Sequence, residues 1–101
     1  MKMLIDGVRE LAMKELARAV EIHGSDFHSD HECYAVLKEE IEETEDEVRL
    51  LGEELQRLWL DVKSDNSQNA QQKIKYMQII AEKAAAELIQ VVAMCQKATK
   101  K

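Results

Sequence analysis

The sequence predicts an all-α fold, an antiparallel helical bundle of three main helices, and three observations carry that prediction. The 101 residues include no proline and only three glycines, too few for a sandwich or barrel, which takes turn residues about every 8–12 positions. Charged residues make up 34 % and the AVILMFWYC set 46 %, with aromatics at only 4 %, a balance that suits amphipathic helices better than strands or a disordered chain. Apolar residues also recur at alternating steps of three and four along most of the chain, the period of a helix face.

The first helical segment is expected over residues 2–23, with Leu4, Val8, Leu11, Ala12, Ala19 and Val20 on its apolar side. Gly24 follows where a left-handed C-cap is commonly glycine. After a short polar connection, Ser29-Asp30-His31-Glu32 reads as a capping box, its hydroxyl and carboxylate each accepting from an orphan backbone N–H. The second segment, residues 30–63, repeats Tyr34, Leu37, Ile41, Thr44, Val48, Leu51, Leu55, Leu58 and Val62, a period of about 3.5 held for roughly four heptads. Ser64 to Asn69 is a polar break. The third segment, residues 70–97, carries Met77, Ala81, Ala84, Leu88, Val91 and Cys95, alanine-rich and suited to close helix approach. Residues 1–101 thus read as one domain. A second helix of about 50 Å is too long for the other two to cover, so a homo-oligomer, a dimer or a tetramer, is expected to complete the bundle.

Charge and composition exclude several functions. Fourteen basic residues against 20 acidic give a net charge of −6, the wrong sign for gripping nucleic acid by its phosphates. No run of apolar residues is long enough for a membrane helix. Cys33 and Cys95 stand 62 positions apart, neither metal-spaced nor a disulfide framework, and read as reduced core thiols of a cytoplasmic protein. His23, His28 and His31 read as capping or solvent-facing groups, with no further ligand placed beside them. Tyr34, on the apolar line, reads as core packing, and the lysine-rich 97–101 tail as a solvated C-terminus.

The residues that suggest chemistry lie in Glu39-Glu40-Ile41-Glu42-Glu43-Thr44-Glu45-Asp46-Glu47. At about 100° per residue Glu40, Glu43 and Glu47 share one side of the helix, flanking the apolar line. Carboxylates at such spacing repel one another and offer oxygen ligands of the kind Mg²⁺ takes. On the third segment Lys83, Glu87, Gln90 and Met94 hold the equivalent offset, so antiparallel packing would turn Glu87 toward the acids. The plain alternative is a solvated acidic face, with Glu87 paired to Lys83 at i,i+4.

These motifs, Leu37-Lys38-Glu39-Glu40-Ile41-Glu42-Glu43 and Ala86-Glu87-Leu88-Ile89-Gln90-Val91-Val92, resemble the MazG-like all-α nucleoside triphosphate pyrophosphohydrolases. That family carries E-E-x-x-E on one helix and E-x-x-D on the next. Glu39, Glu40 and Glu43 match the first motif. The second departs from it, with Gln90 in place of aspartate or, in the other alignment, Ala84 in place of glutamate. The resemblance implies Mg²⁺ held by Glu40, Glu43, Glu87 and Gln90, with Glu39 a further ligand or the base. It implies Lys83 against a phosphate of the nucleoside triphosphate, and release of a monophosphate and pyrophosphate. The competing expectation is a non-catalytic helical interaction protein, phage-derived, that keeps the fold with an eroded metal site.

Overall fold

The computed structural model describes residues 1–99, which form three helices and no strand. Helix α1 spans Lys2–His23, α2 spans Asp30–Lys63 and α3 spans Ser67–Ala98. The first two have the bounds the sequence predicts. Gly24 ends α1 with φ 86°, its N–H donating to the Val20 carbonyl, and only glycine takes that backbone without strain. Ser29 caps α2 by accepting from the Glu32 N–H. The Glu32 carboxylate reaches back one residue further than a capping box requires and accepts from the His28 N–H at 3.1 Å.

The third helix begins three residues earlier than expected. The polar Ser67-Gln68-Asn69 segment, read as loop, is its first turn, because the Asn66 side chain caps it by accepting from the Asn69 N–H. The connection between α2 and α3 therefore shrinks to Ser64–Asn66. It reverses the chain through Asp65 at φ 54°, a conformation that aspartate tolerates better than most residues. So tight a link makes α2 and α3 an antiparallel hairpin, packed along its length in a body of 55 × 29 × 23 Å.

Helix α1 packs on α3, and its backbone stays apart from that of α2. Ala12 and Ala93 lose all accessible surface, so α1 comes down on α3 where side chains are small. The buried core is otherwise thin. It comprises these two alanines with Ala70, Ala84 and Ile80, and among the described residues no large side chain is fully enclosed.

The 3.5-residue period of α2 resolves into two lines with opposite fates. Thr44 is buried and Leu37, Leu51 and Leu58 are half-buried, whereas Tyr34, Ile41, Val48, Leu55 and Val62 stay between 42 % and 67 % exposed. Tyr34 is therefore not a core residue. In place of that exposed line, Glu40, Glu47, Glu54 and Asp61, spaced by seven, turn inward; Glu54 is buried and the others are half-buried. Inward acids need partners. Lys83 meets Glu47 at 2.9 Å, Lys73 meets Asp61, and Arg57 folds over Glu54. The Thr44 hydroxyl donates to the Glu40 carbonyl at 2.9 Å, which lets a polar residue sit where the heptad places an apolar one.

Candidate functional site

Two open clefts share the connection between α1 and α2. The larger, about 490 Å³, lies among α1, the first turns of α2 and the end of α3; Arg18, His23, His28, Glu40, Gln90 and Lys97 are among its lining residues. The smaller, about 310 Å³, lies beside the α2 N-terminus with Asp30, Cys33 and Lys97 in its wall, and both include Asp26, Phe27 and His28. A volume of several hundred cubic ångströms is what a small ligand occupies.

Glu40 is the best-placed of the predicted site residues. It is half-buried on the α3 side of α2 and lines the larger cleft together with Gln90. Burial pushes its carboxyl above the ordinary glutamate range, and the negative charges of Glu43, Glu39 and Glu87 push in the same direction. Glu87 is thus within electrostatic reach across the helix pair, as antiparallel packing implies. One of its oxygens, Oε2, is sealed from solvent and has no hydrogen-bond partner. Unsatisfied buried oxygens are uncommon in folded proteins.

The remaining predicted residues do not join them. Glu39 and Glu43 are exposed on α2. Lys83 bridges to Glu47 on the opposite helix instead of pairing with Glu87, and this contact is the first cause of its raised pKa. Among the described residues, no three His, Cys, Asp or Glu side chains gather closely enough to hold a metal ion. Glu40 and Glu87 with the Gln90 amide form a sparse donor set, one that would leave a cation such as Mg²⁺ most of its water ligands. His31 is exposed in the first turn of α2.

Two features were not anticipated. Lys97, expected in a solvated tail, is 8 % exposed, and its ammonium lies 4.3 Å from the centre of the Phe27 ring. A cation over an aromatic face recovers part of what burial costs, and its place in the last turn of α3 adds a favourable dipole. Nothing in the local sequence marks this contact. Cys95, read as a core thiol, is exposed, and Cys33 is half-buried. Within the larger cleft Arg18 grips Glu15, and that hydrogen bond holds the Glu15 carboxyl below its ordinary range.

The Glu40 environment has a measurable consequence. Its carboxyl binds a proton more tightly in the folded chain than in the unfolded one. Ionised Glu40 therefore costs stability at neutral pH, a cost that fades as pH falls through its raised folded range and is gone below the unfolded value of about 4. Glu40→Gln is expected to melt about 2–4 °C higher than wild type at pH 7, the two melting curves converging in acid. Thermal melts from pH 3 to 8 check it, and a lower melting temperature for the variant at pH 7 would show that the charge has a favourable partner.

No protein-family model matches the chain, and comparisons with curated proteins and with solved structures find no match.

Proposed function

We propose that this chain is a helical assembly protein that acts as a homo-oligomer, with the α2–α3 hairpin as its joining element. The observation that carries the reading is where the apolar surface lies. Among the described residues no large side chain is fully enclosed, while Tyr34, Ile41, Val48, Leu55 and Val62 line one long helix in open exposure. Contiguous apolar surface on this scale marks an interaction site. The reading places the protein in the cytoplasm, where its free thiols stay reduced; no helix among the described residues is long and apolar enough to cross a membrane. Sedimentation velocity tests the proposal. A mass of at least twice 11.6 kDa is expected at concentrations well above micromolar, and a monomer mass there overturns it.

A second reading, Mg²⁺-dependent pyrophosphohydrolysis of nucleoside triphosphates in the manner of the MazG-like enzymes, is favoured by one arrangement. Glu40 stands with Gln90 in the larger cleft, has Glu87 within electrostatic reach, and shares the cleft with Arg18 and Lys97. Glu40, Glu87 and Gln90 would hold the ion, joined by Glu43 on a change of rotamer. Bound Mg²⁺ would supply charge neutralisation of the phosphates. Glu39 would accept the proton of the attacking water, and Lys97 would face a phosphate in place of Lys83. Pyrophosphate release from a panel of nucleoside triphosphates, with and without Mg²⁺ and beside Glu43→Gln, separates the two readings. The assembly reading expects no release; Mg²⁺-dependent release that Glu43→Gln abolishes would establish the enzyme.

A further inference from the structure

The exposed line on α2 has a counterpart on α3. Ile74, Ala81, Leu88 and Cys95 also recur every seventh residue, and all four are exposed. The two lines share one face of the hairpin, since Leu88 joins Ile41 and Val48 in the wall of an open trough of about 510 Å³. Helix α1 leaves that face bare. It lies over another side of α3, with Leu11 near Ala86 and Ile89.

The ion pairs Glu47–Lys83 and Asp61–Lys73 fix the alignment within the hairpin. That alignment sets Tyr34 about level with Cys95, Ile41 with Leu88, Val48 with Ala81 and Leu55 with Ile74. The bare face, from Tyr34 to Val62 along α2, is about 42 Å long and two helix diameters wide, roughly 800 Å². A stable interface needs about 800 Å² from each partner.

Two hairpins facing each other about a two-fold axis have two arrangements open to them. Laying α2 on α2 opposes bulky side chains to bulky ones and leaves the alanine-bearing α3 pair underfilled. It also brings together two helices that each carry nine acids and two bases between Lys38 and Glu54. Laying α2 on α3 sets large against small at two levels, Val48 with the partner's Ala81 and Tyr34 with the partner's Cys95, and apolar against apolar at Ile41 and Leu55. It sets the acidic helix beside one that, from Lys73 to Ala98, carries four lysines and two glutamates. Resting on the self-association reading above, we propose that a second copy of this chain covers the face with its α3 against this α2. The two-fold axis runs along the helices. Such an axis carries no shift along the bundle, so Ile41 meets Leu88 of the partner subunit and Val48 meets the partner subunit's Ala81. Every helix of the resulting four-helix core has antiparallel neighbours.

Single-cysteine chains test the pairing, built in a Cys33→Ser/Cys95→Ser background. One carries Ile41→Cys and the other Leu88→Cys. A disulfide requires Cα atoms within about 7 Å. On mild oxidation the mixed chains are expected to give a covalent dimer of one copy of each, while either chain alone gives little. A dimer that cross-links through Ile41→Cys alone, or in neither case, overturns the pairing and leaves self-association standing. A monomer mass in sedimentation removes both. Val48→Cys with Ala81→Cys repeats the test one level along, should the first pair disturb folding.

Discussion

Val48→Asp is expected to reduce the sedimenting mass to that of a single 11.6 kDa chain and to cost helix content. Val48 is 54 % exposed in one copy, where a substitution ordinarily changes stability by less than about 0.5 kcal/mol. Covered by a second copy, the same position buries a carboxylate without a partner, twice per dimer, at a cost of several kcal/mol for each charge. A loss of about 4 kcal/mol weakens association roughly a thousandfold. Helix content falls as well, because long helices owe most of their stability to packing. Gln56→Asp, also exposed on α2 but off the apolar line, serves as control and leaves the mass unchanged. Equal masses and equal melting for wild type and Val48→Asp would show that the apolar line has no partner.

The second large effect is expected inside the chain. Ala93 has no accessible surface, and neither does Ala12 on the helix that packs against α3. Three added carbons at Ala93→Leu have no space to enter, so α1 must lift or tilt. Overpacking of this kind costs about 1–3 kcal/mol, a fall in melting temperature of roughly 5–20 °C for a domain of this size. Limited trypsin digestion reports where the damage lies, since a lifted α1 exposes its backbone at Lys14 and Arg18. Ala17→Leu, exposed on α1, is expected to change melting by little. Unaltered melting of Ala93→Leu would mean that α1 does not depend on close approach.

What the sequence disclosed divides along a physical line. Local signals were legible. Gly24 and Ser29 mark the end of α1 and the start of α2 because each satisfies orphan backbone groups by itself. The heptad period was legible too, but a 3.5-residue repeat contains two lines, and period alone does not say which turns inward. In α2 the exposed line is the more apolar one, and the line holding Glu40, Glu47, Glu54 and Asp61 packs inward. That choice depends on Lys73 and Lys83, which are distant in sequence. Ser67-Gln68-Asn69 looked like loop because its polarity is that of a turn, while the cap that makes it helical is the Asn66 side chain.

The site follows the same division. The approach of Glu87 to Glu40 follows from antiparallel packing and was foreseeable. The outward turn of Glu43 and the capture of Lys83 by Glu47 were not, since both depend on the rotation of each helix about its axis. Lys97 over Phe27 joins the last turn of α3 to the α1–α2 connection, a meeting of distant segments that no local pattern encodes.

The paired acids and lysines between α2 and α3 also bear on how the hairpin avoids mispairing. Alanine surfaces are nearly featureless, and one helix could slide along the other by a turn with little change in apolar contact. Glu47 with Lys83 and Asp61 with Lys73 work as two teeth of a ratchet, because a one-turn slip parts both acids from their lysines. Ionic strength should therefore leave the amount of helix almost untouched while loosening the hairpin's longitudinal alignment.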